Sequence, residues 1–176
     1  HVANGLYENC PNDEAHDLFK LPDFINQMME NKWLGSKTKQ GFYKKVDKDI
    51  LSLDLNTLDY RASKKASFQT LELTKTIDNV IDRFKVLING KDKAGEFYRK
   101  SFAGLFAYVA NRVPEITDDL YKIDDAMKAG FGWEHGPFQI WNAIGVEKGI
   151  ELIKENGENV AEWVNEMIAS GNSSFY

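Results

Sequence analysis

What this chain has little of narrows the field quickly. Its 176 residues contain one cysteine, Cys10, so no internal disulfide can form and a reducing compartment, the cytoplasm, is expected. Three histidines occur, His1, His16 and His135, and none stands at metal-ligand spacing from another histidine or from the cysteine. No apolar run approaches the ~20 residues that a membrane span needs, and the first residues carry no signal-peptide pattern. Positive charge is also short. With 22 Lys and Arg against 27 Asp and Glu the net charge is −5, which gives no electrostatic basis for holding nucleic acid. A P-loop, a nucleophile elbow and zinc spacing are all absent. Gly130, Gly132 and Gly136 give G-x-G-x-x-x-G, one residue longer than the dinucleotide fingerprint, and they follow a helical stretch where the fingerprint must follow a strand.

What is there is mostly helical periodicity. The stretch that organises the rest is 118–145, DDLYKIDDAMKAGFGWEHGPFQIWNAIG. Leu120, Ile123 and Met127, then Phe138, Trp141 and Ile144, fall at three- and four-residue spacing, one buried stripe on each of two segments. Gly130 and Gly132 stop the first segment; Gly136 and Pro137 start the second, with proline at a first helical position where its missing N–H costs nothing. Gly145 ends it. The pattern predicts a tight helix–turn–helix corner with Phe131 and Trp133 on the turn.

Elsewhere the chain begins as the tail of a helix, turns at Cys10-Pro11-Asn12-Asp13, and enters a second helix over 21–32 in which Met28 and Met29 read as core filler. Lys37, Lys39, Lys44 and Lys45 then crowd around Gly35 and Gly41. Alternation over 42–46, and Ile50, Leu51 and Leu53 followed by Leu58 and Tyr60, predict a short β-hairpin with Asn56-Thr57 at its turn. A lone hairpin is marginal and must lie on a helical surface. The basic stretch 61–65 is the best boundary. From Phe68 onward every segment reads as helix, with Asp92 able to cap the long one that ends before Pro114 and Thr117 or Asp118 the next. The absence of Met at His1 and the ending in Ser-Ser-Phe-Tyr lead us to expect a fragment of a longer protein.

Candidate chemistry is sparse. Asp118, Asp119, Asp124 and Asp125 suit capping and helix-dipole roles better than a catalytic pair. His135 beside Glu134 could serve as a general base, but a turn histidine satisfied by a backbone carbonyl is the better reading. On residues alone, the chain is a helical interaction or substrate-binding domain.

Two stretches carry a family resemblance. Residues 33–45, WLGSKTKQGFYKK, are similar to the G-x-K-T-G-x-G-F-Y segment of the 3-hydroxyacyl-CoA dehydrogenase family. Residues 118–151, which contain Asp124-Asp125-Ala126, Gly136-Pro137-Phe138 and Asn142-Ala143-Ile144-Gly145, resemble the D-x-A, G-P-F and D-x-x-G elements of that family's helical C-terminal domain. The resemblance implies a mainly α fold made of helical C-terminal-type domains: 1–46 the end of a first copy, 47–66 a β-hairpin linker, and 67–176 a second copy. It implies a multifunctional bacterial enzyme of fatty-acid β-oxidation that oxidises a 3-hydroxyacyl-CoA with NAD. In such enzymes an N-terminal Rossmann domain binds NAD and holds the catalytic His and Glu, and the helical region closes over the acyl-CoA and makes oligomer contacts. The fragment alone is then expected to be inactive, with no catalytic or metal-ligating residue of its own.

Two site residues transfer by resemblance. Lys37 occupies the lysine of the K-T-x-x-G-F-Y segment, which in the family reaches NAD bound in the neighbouring domain. Asn111, in Asn111-Arg112, matches the substrate-contacting N-R dipeptide, although in a second copy that dipeptide serves packing more than chemistry. The sequence departs from the family at Lys39, where Gly is usual and a lysine is strained if φ is positive, and at Asn142, where Asp is usual. The rival reading is a free-standing helical module that binds partners through its aromatic corner.

Overall fold

The computed structural model describes residues 2–176. The chain forms two compact units, His1–Ala66 and Ser67–Tyr176. It is mainly helical, with nine α-helices and one small antiparallel sheet among the described residues.

The first unit carries α1 (Val2–Asn9) and α2 (Asp23–Glu30), then β1 (Tyr43–Val46), β2 (Asp49–Leu53) and β3 (Tyr60–Ala62). The expected single hairpin is a three-stranded sheet in the order β1-β2-β3. Its first turn is Asp47-Lys48, because Val46 pairs with Asp49 and Tyr43 with Ser52. Asp47 supplies the positive φ of 53° that so tight a connection requires. The Asn56-Thr57 turn joins β2 to β3, where Asp54 accepts the Asn56 N–H at 3.0 Å and Leu53 faces Tyr60. Met28 is buried as expected of core filler, but Met29 is 39% exposed, since adjacent helical positions cannot both face inward.

The second unit is helical throughout: α3 (Gln69–Thr74), α4 (Val80–Asn89), α5 (Lys93–Asn111), α6 (Leu120–Phe131), α7 (Pro137–Ile144), α8 (Val146–Glu155) and α9 (Glu162–Ala169). Helix α5 is its axis and packs against α3, α4, α7 and α8. Ala103, Ala107 and Ala110 on α5 are buried and let neighbours approach; Phe102 and Phe106, between them, fill the volume. A row of rings crosses the core: Phe84 to Phe102 at 5.1 Å, Phe102 to Phe106 at 5.7 Å, and Phe106 stacked on Trp141 at 4.9 Å. Phe97 on α5 is 64% exposed. The capping logic holds at α5, where Asp92 accepts the Gly95 N–H at 3.1 Å and also the Thr70 N–H of α3 at 3.0 Å. It shifts by one residue at α6: Asp119 is the cap, and Thr117 accepts the Asp119 N–H.

Candidate functional site

The loop around Lys37 is tied internally. Gly35 donates its N–H to the Gln40 carbonyl at 2.8 Å, and Thr38 Oγ1 accepts the Leu34 N–H at 2.9 Å. The Thr38 hydroxyl also lies within reach of the Gly35 and Gln40 carbonyls, so the threonine of the K-T pair staples the loop shut. Lys37 sits on the resulting single 3-10 turn, Ser36–Thr38, with its side chain exposed. Lys39 closes that turn at φ 65°, the left-handed region. The position does need positive φ, and lysine bears the cost that glycine would avoid. Behind the loop, the Tyr60 hydroxyl donates to the Gly41 carbonyl at 2.6 Å, and burial pushes its phenol up from its ordinary pKa. A groove of about 740 Å³ beside the sheet is lined by Ser36, Lys39, Phe42, Tyr43, Lys45 and Ile50 among others; Lys37 is not in it.

In the second unit the corner is built on Asp124. This carboxylate is wholly buried. Oδ1 accepts the Phe138 N–H at 2.8 Å and Oδ2 the Gln139 N–H at 3.1 Å, so an aspartate in the middle of α6 caps the start of α7. Negative charge at a helix N-terminus is favourable, and two N–H donors offset part of its desolvation. The close approach requires Gly136: a Cβ there would lie 2.3 Å from the Asp124 Cα. Gln139 turns back to accept the Gly136 N–H at 3.0 Å. Gly132, at φ 65°, ends α6. Asp124 is therefore structural, a capping residue as its type suggested, though for α7 and not for the helix it sits on.

The turn between these helices forms one wall of a half-open, almost wholly apolar cavity of about 520 Å³, with Trp133, Glu134 and His135 on one side and Phe84, Phe97 and Leu105 on another. His135 Nε2 lies 3.7 Å from Glu134 Oε1. Ser101 and Tyr98 are the remaining polar groups of the cavity lining. Sequence reading missed this cavity. The available signal was Phe97, Ser101 and Leu105 at four-residue spacing on one face of α5.

Asn111 lies at the end of α5, in the second unit, whereas Lys37 belongs to the first. Its Nδ2 donates to the Ala107 carbonyl at 2.9 Å and to the Asn159 carbonyl at 3.2 Å, which ties α5 to the segment before α9. Both amide hydrogens are thus engaged by backbone. Asn142 keeps one oxygen at work, as Asn for Asp allows: Oδ1 accepts the Phe175 N–H at 2.9 Å.

The described residues hold no cluster of His, Cys, Asp and Glu able to bind a metal, and no described helix is long and apolar enough to cross a membrane. They also lack a glycine-rich turn from a strand into a helix; β3 is the strand that precedes a helix, and 63–68 between them contain no glycine. Fold and site thus define a mainly helical region, with no dinucleotide-binding turn among the described residues. Over all 176 residues it is 40% identical to a probable 3-hydroxyacyl-CoA dehydrogenase of Bacillus subtilis, matching 22% of that protein. A putative fatty acid oxidation complex trifunctional enzyme of Rickettsia felis is 28% identical over 160 residues, 81% of this chain and 20% of that protein. Its counterpart in Rickettsia prowazekii is 25% identical over 164 residues, 89% of this chain and 21% of that protein. No family model and no solved structure matches the chain. The chain is homologous along its whole length to part of a 3-hydroxyacyl-CoA dehydrogenase, and it spans about a fifth of the length of the curated relatives it matches.

Proposed function

We propose that this chain is the C-terminal, substrate-side region of a cytoplasmic, NAD-dependent 3-hydroxyacyl-CoA dehydrogenase that converts a 3-hydroxyacyl-CoA to the 3-oxoacyl-CoA in fatty-acid β-oxidation. The observation that carries the reading is 40% identity over the whole chain to a probable 3-hydroxyacyl-CoA dehydrogenase. Residues 1–46 are the end of a first helical copy, 47–66 a linker, and 67–176 a second copy that packs against other domains and supplies oligomer contacts. The acyl-CoA and the enzyme's own Rossmann domain are the partners.

NAD does not fit this chain alone. Lys37 offers one exposed ammonium, a point charge suited to a phosphate or ribose oxygen, but the cradle for a pyrophosphate is missing from the described residues. We therefore assign Lys37 an ancillary contact to NAD held by a neighbouring domain. Asn111, with its amide hydrogens engaged by Ala107 and Asn159, fits a positioning role on the substrate side. The rival reading, a free-standing helical interaction module, draws on the open apolar cavity. The coding sequence upstream of His1 separates the two. A strand running into G-x-G-x-x-G supports the dehydrogenase; a start codon close to His1 supports the module.

A further inference from the structure

We propose that residues 173–176 form a strap that sets the geometry of the α6–α7 corner and, through it, the Trp133–His135 wall of the apolar cavity. The strap is fixed at both ends of α7. Near the C-terminal end of that helix, the Phe175 N–H donates to Asn142 Oδ1 at 2.9 Å. At its N-terminal end, the Tyr176 hydroxyl donates to Asp124 Oδ2 at 2.8 Å, the same oxygen that accepts the Gln139 N–H. Between these ties the Phe175 ring enters an aromatic socket, with its centroid 5.2 Å from Phe138, 5.0 Å from Trp141 and 5.8 Å from Trp163.

The load falls on Asp124. A fully buried carboxylate needs every available donor, and one of its three is on the strap. Burial and the adjacent carboxylate push the Tyr176 phenol above its usual pKa, in line with its hydroxyl being the donor to Asp124. The same carboxylate holds the Phe138 and Gln139 N–H groups, and the Asp124 backbone lies against Gly136, the residue directly after the Trp133–His135 wall, so the placement of the carboxylate is linked to that of the turn. Tyr176 is itself 57% exposed, which leaves the handle of this lever open while its far end is buried. The inference does not depend on the dehydrogenase reading.

Hydrogen exchange with mass-spectrometric detection on the 176-residue chain tests it. Tyr176→Phe keeps the ring and removes the hydroxyl; a second chain lacks Phe175 and Tyr176. In both, amides at 132–139 should exchange faster, by about tenfold or more, while α5 and α8 keep their protection. Unchanged exchange at 132–139 in both chains overturns the proposal. So does faster exchange in the shortened chain alone, which would leave the hydroxyl without a role, and so does an equal rise across the whole second unit, which would make the segment ordinary core.

Discussion

Gly149 lies so close beneath Trp141 that a Cβ on it would sit 1.9 Å from the indole Nε1. That nitrogen donates to the Val146 carbonyl at 3.0 Å, and the ring is wholly buried. Helix α8 can approach α7 this closely only through a residue without a side chain. Gly149→Ala should push the indole off its hydrogen bond and cost about 1–3 kcal/mol, the usual range for overpacking a dense core. Trp141→Ala should cost more, about 3–5 kcal/mol, because it empties the end of the Phe102–Phe106–Trp141 row. Urea unfolding monitored by far-UV dichroism measures both; a loss under ~0.5 kcal/mol for either would contradict the packing described.

Lys39 gives a change in the opposite direction. At φ 65° a lysine is strained and glycine is not, so Lys39→Gly should stabilise the loop, by about 1 kcal/mol or less once the greater freedom of glycine in the unfolded chain is counted. Trp33, which packs 5.7 Å from Tyr60 behind this loop, reports the first unit by its fluorescence. A lower midpoint in the variant would mean that the lysine side chain contributes more than its backbone costs.

The acid response should centre partly on Asp92. The N–H of Thr70, followed by that of Gly95, holds its carboxyl below the ordinary carboxylate pKa, against an opposing contribution from burial. A depressed folded-state pKa means stabilisation that is fully present above the unfolded value, about pH 4, and lost as pH falls through the folded value. Asp92→Asn should therefore melt below the parent at pH 7, with the gap narrowing below about pH 4. Melting curves at the two pH values check this, and a gap that widens in acid would reverse the sign.

The helical plan was legible in the sequence because its signals are local. Gly132, Pro137 and Gly145 mark the corner by backbone rules that hold whatever surrounds them, and the Phe138–Trp141–Ile144 spacing names its buried face. The Lys39 departure was legible for the same reason: a glycine position filled by lysine poses a question about φ that the loop answers. What escaped is non-local. Asp124 reads as a residue for its own helix, yet its partners are 14, 15 and 52 positions further on. Phe175 belongs to no periodic segment and is fixed by rings from α7 and α9. The sheet was under-read because Asp47-Lys48 lacks the usual Asn-Gly or Asp-Gly signal, although Asp47 adopts the required positive φ.

Lys37 is the site residue whose role can be separated from folding. It is exposed, on a loop held by Thr38, so Lys37→Ala should leave the melting temperature of this chain within a degree or two. Under the proposed function, the same change in the full-length protein should weaken NAD binding by roughly 3- to 10-fold, the scale of one charge-assisted contact at a solvated site. Calorimetric titration with NAD decides; equal affinity would remove Lys37 from the cofactor's surroundings.

The most direct measurement is of NADH formation at 340 nm from a 3-hydroxyacyl-CoA and NAD, comparing the full-length protein that carries this chain, the same protein without 67–176, and the 176-residue chain alone. Turnover by the full-length protein, its loss or severe reduction on deletion, and none from the isolated chain are the predicted results. Turnover by the isolated chain, or none from the full-length protein, would contradict the assignment of this region to a 3-hydroxyacyl-CoA dehydrogenase.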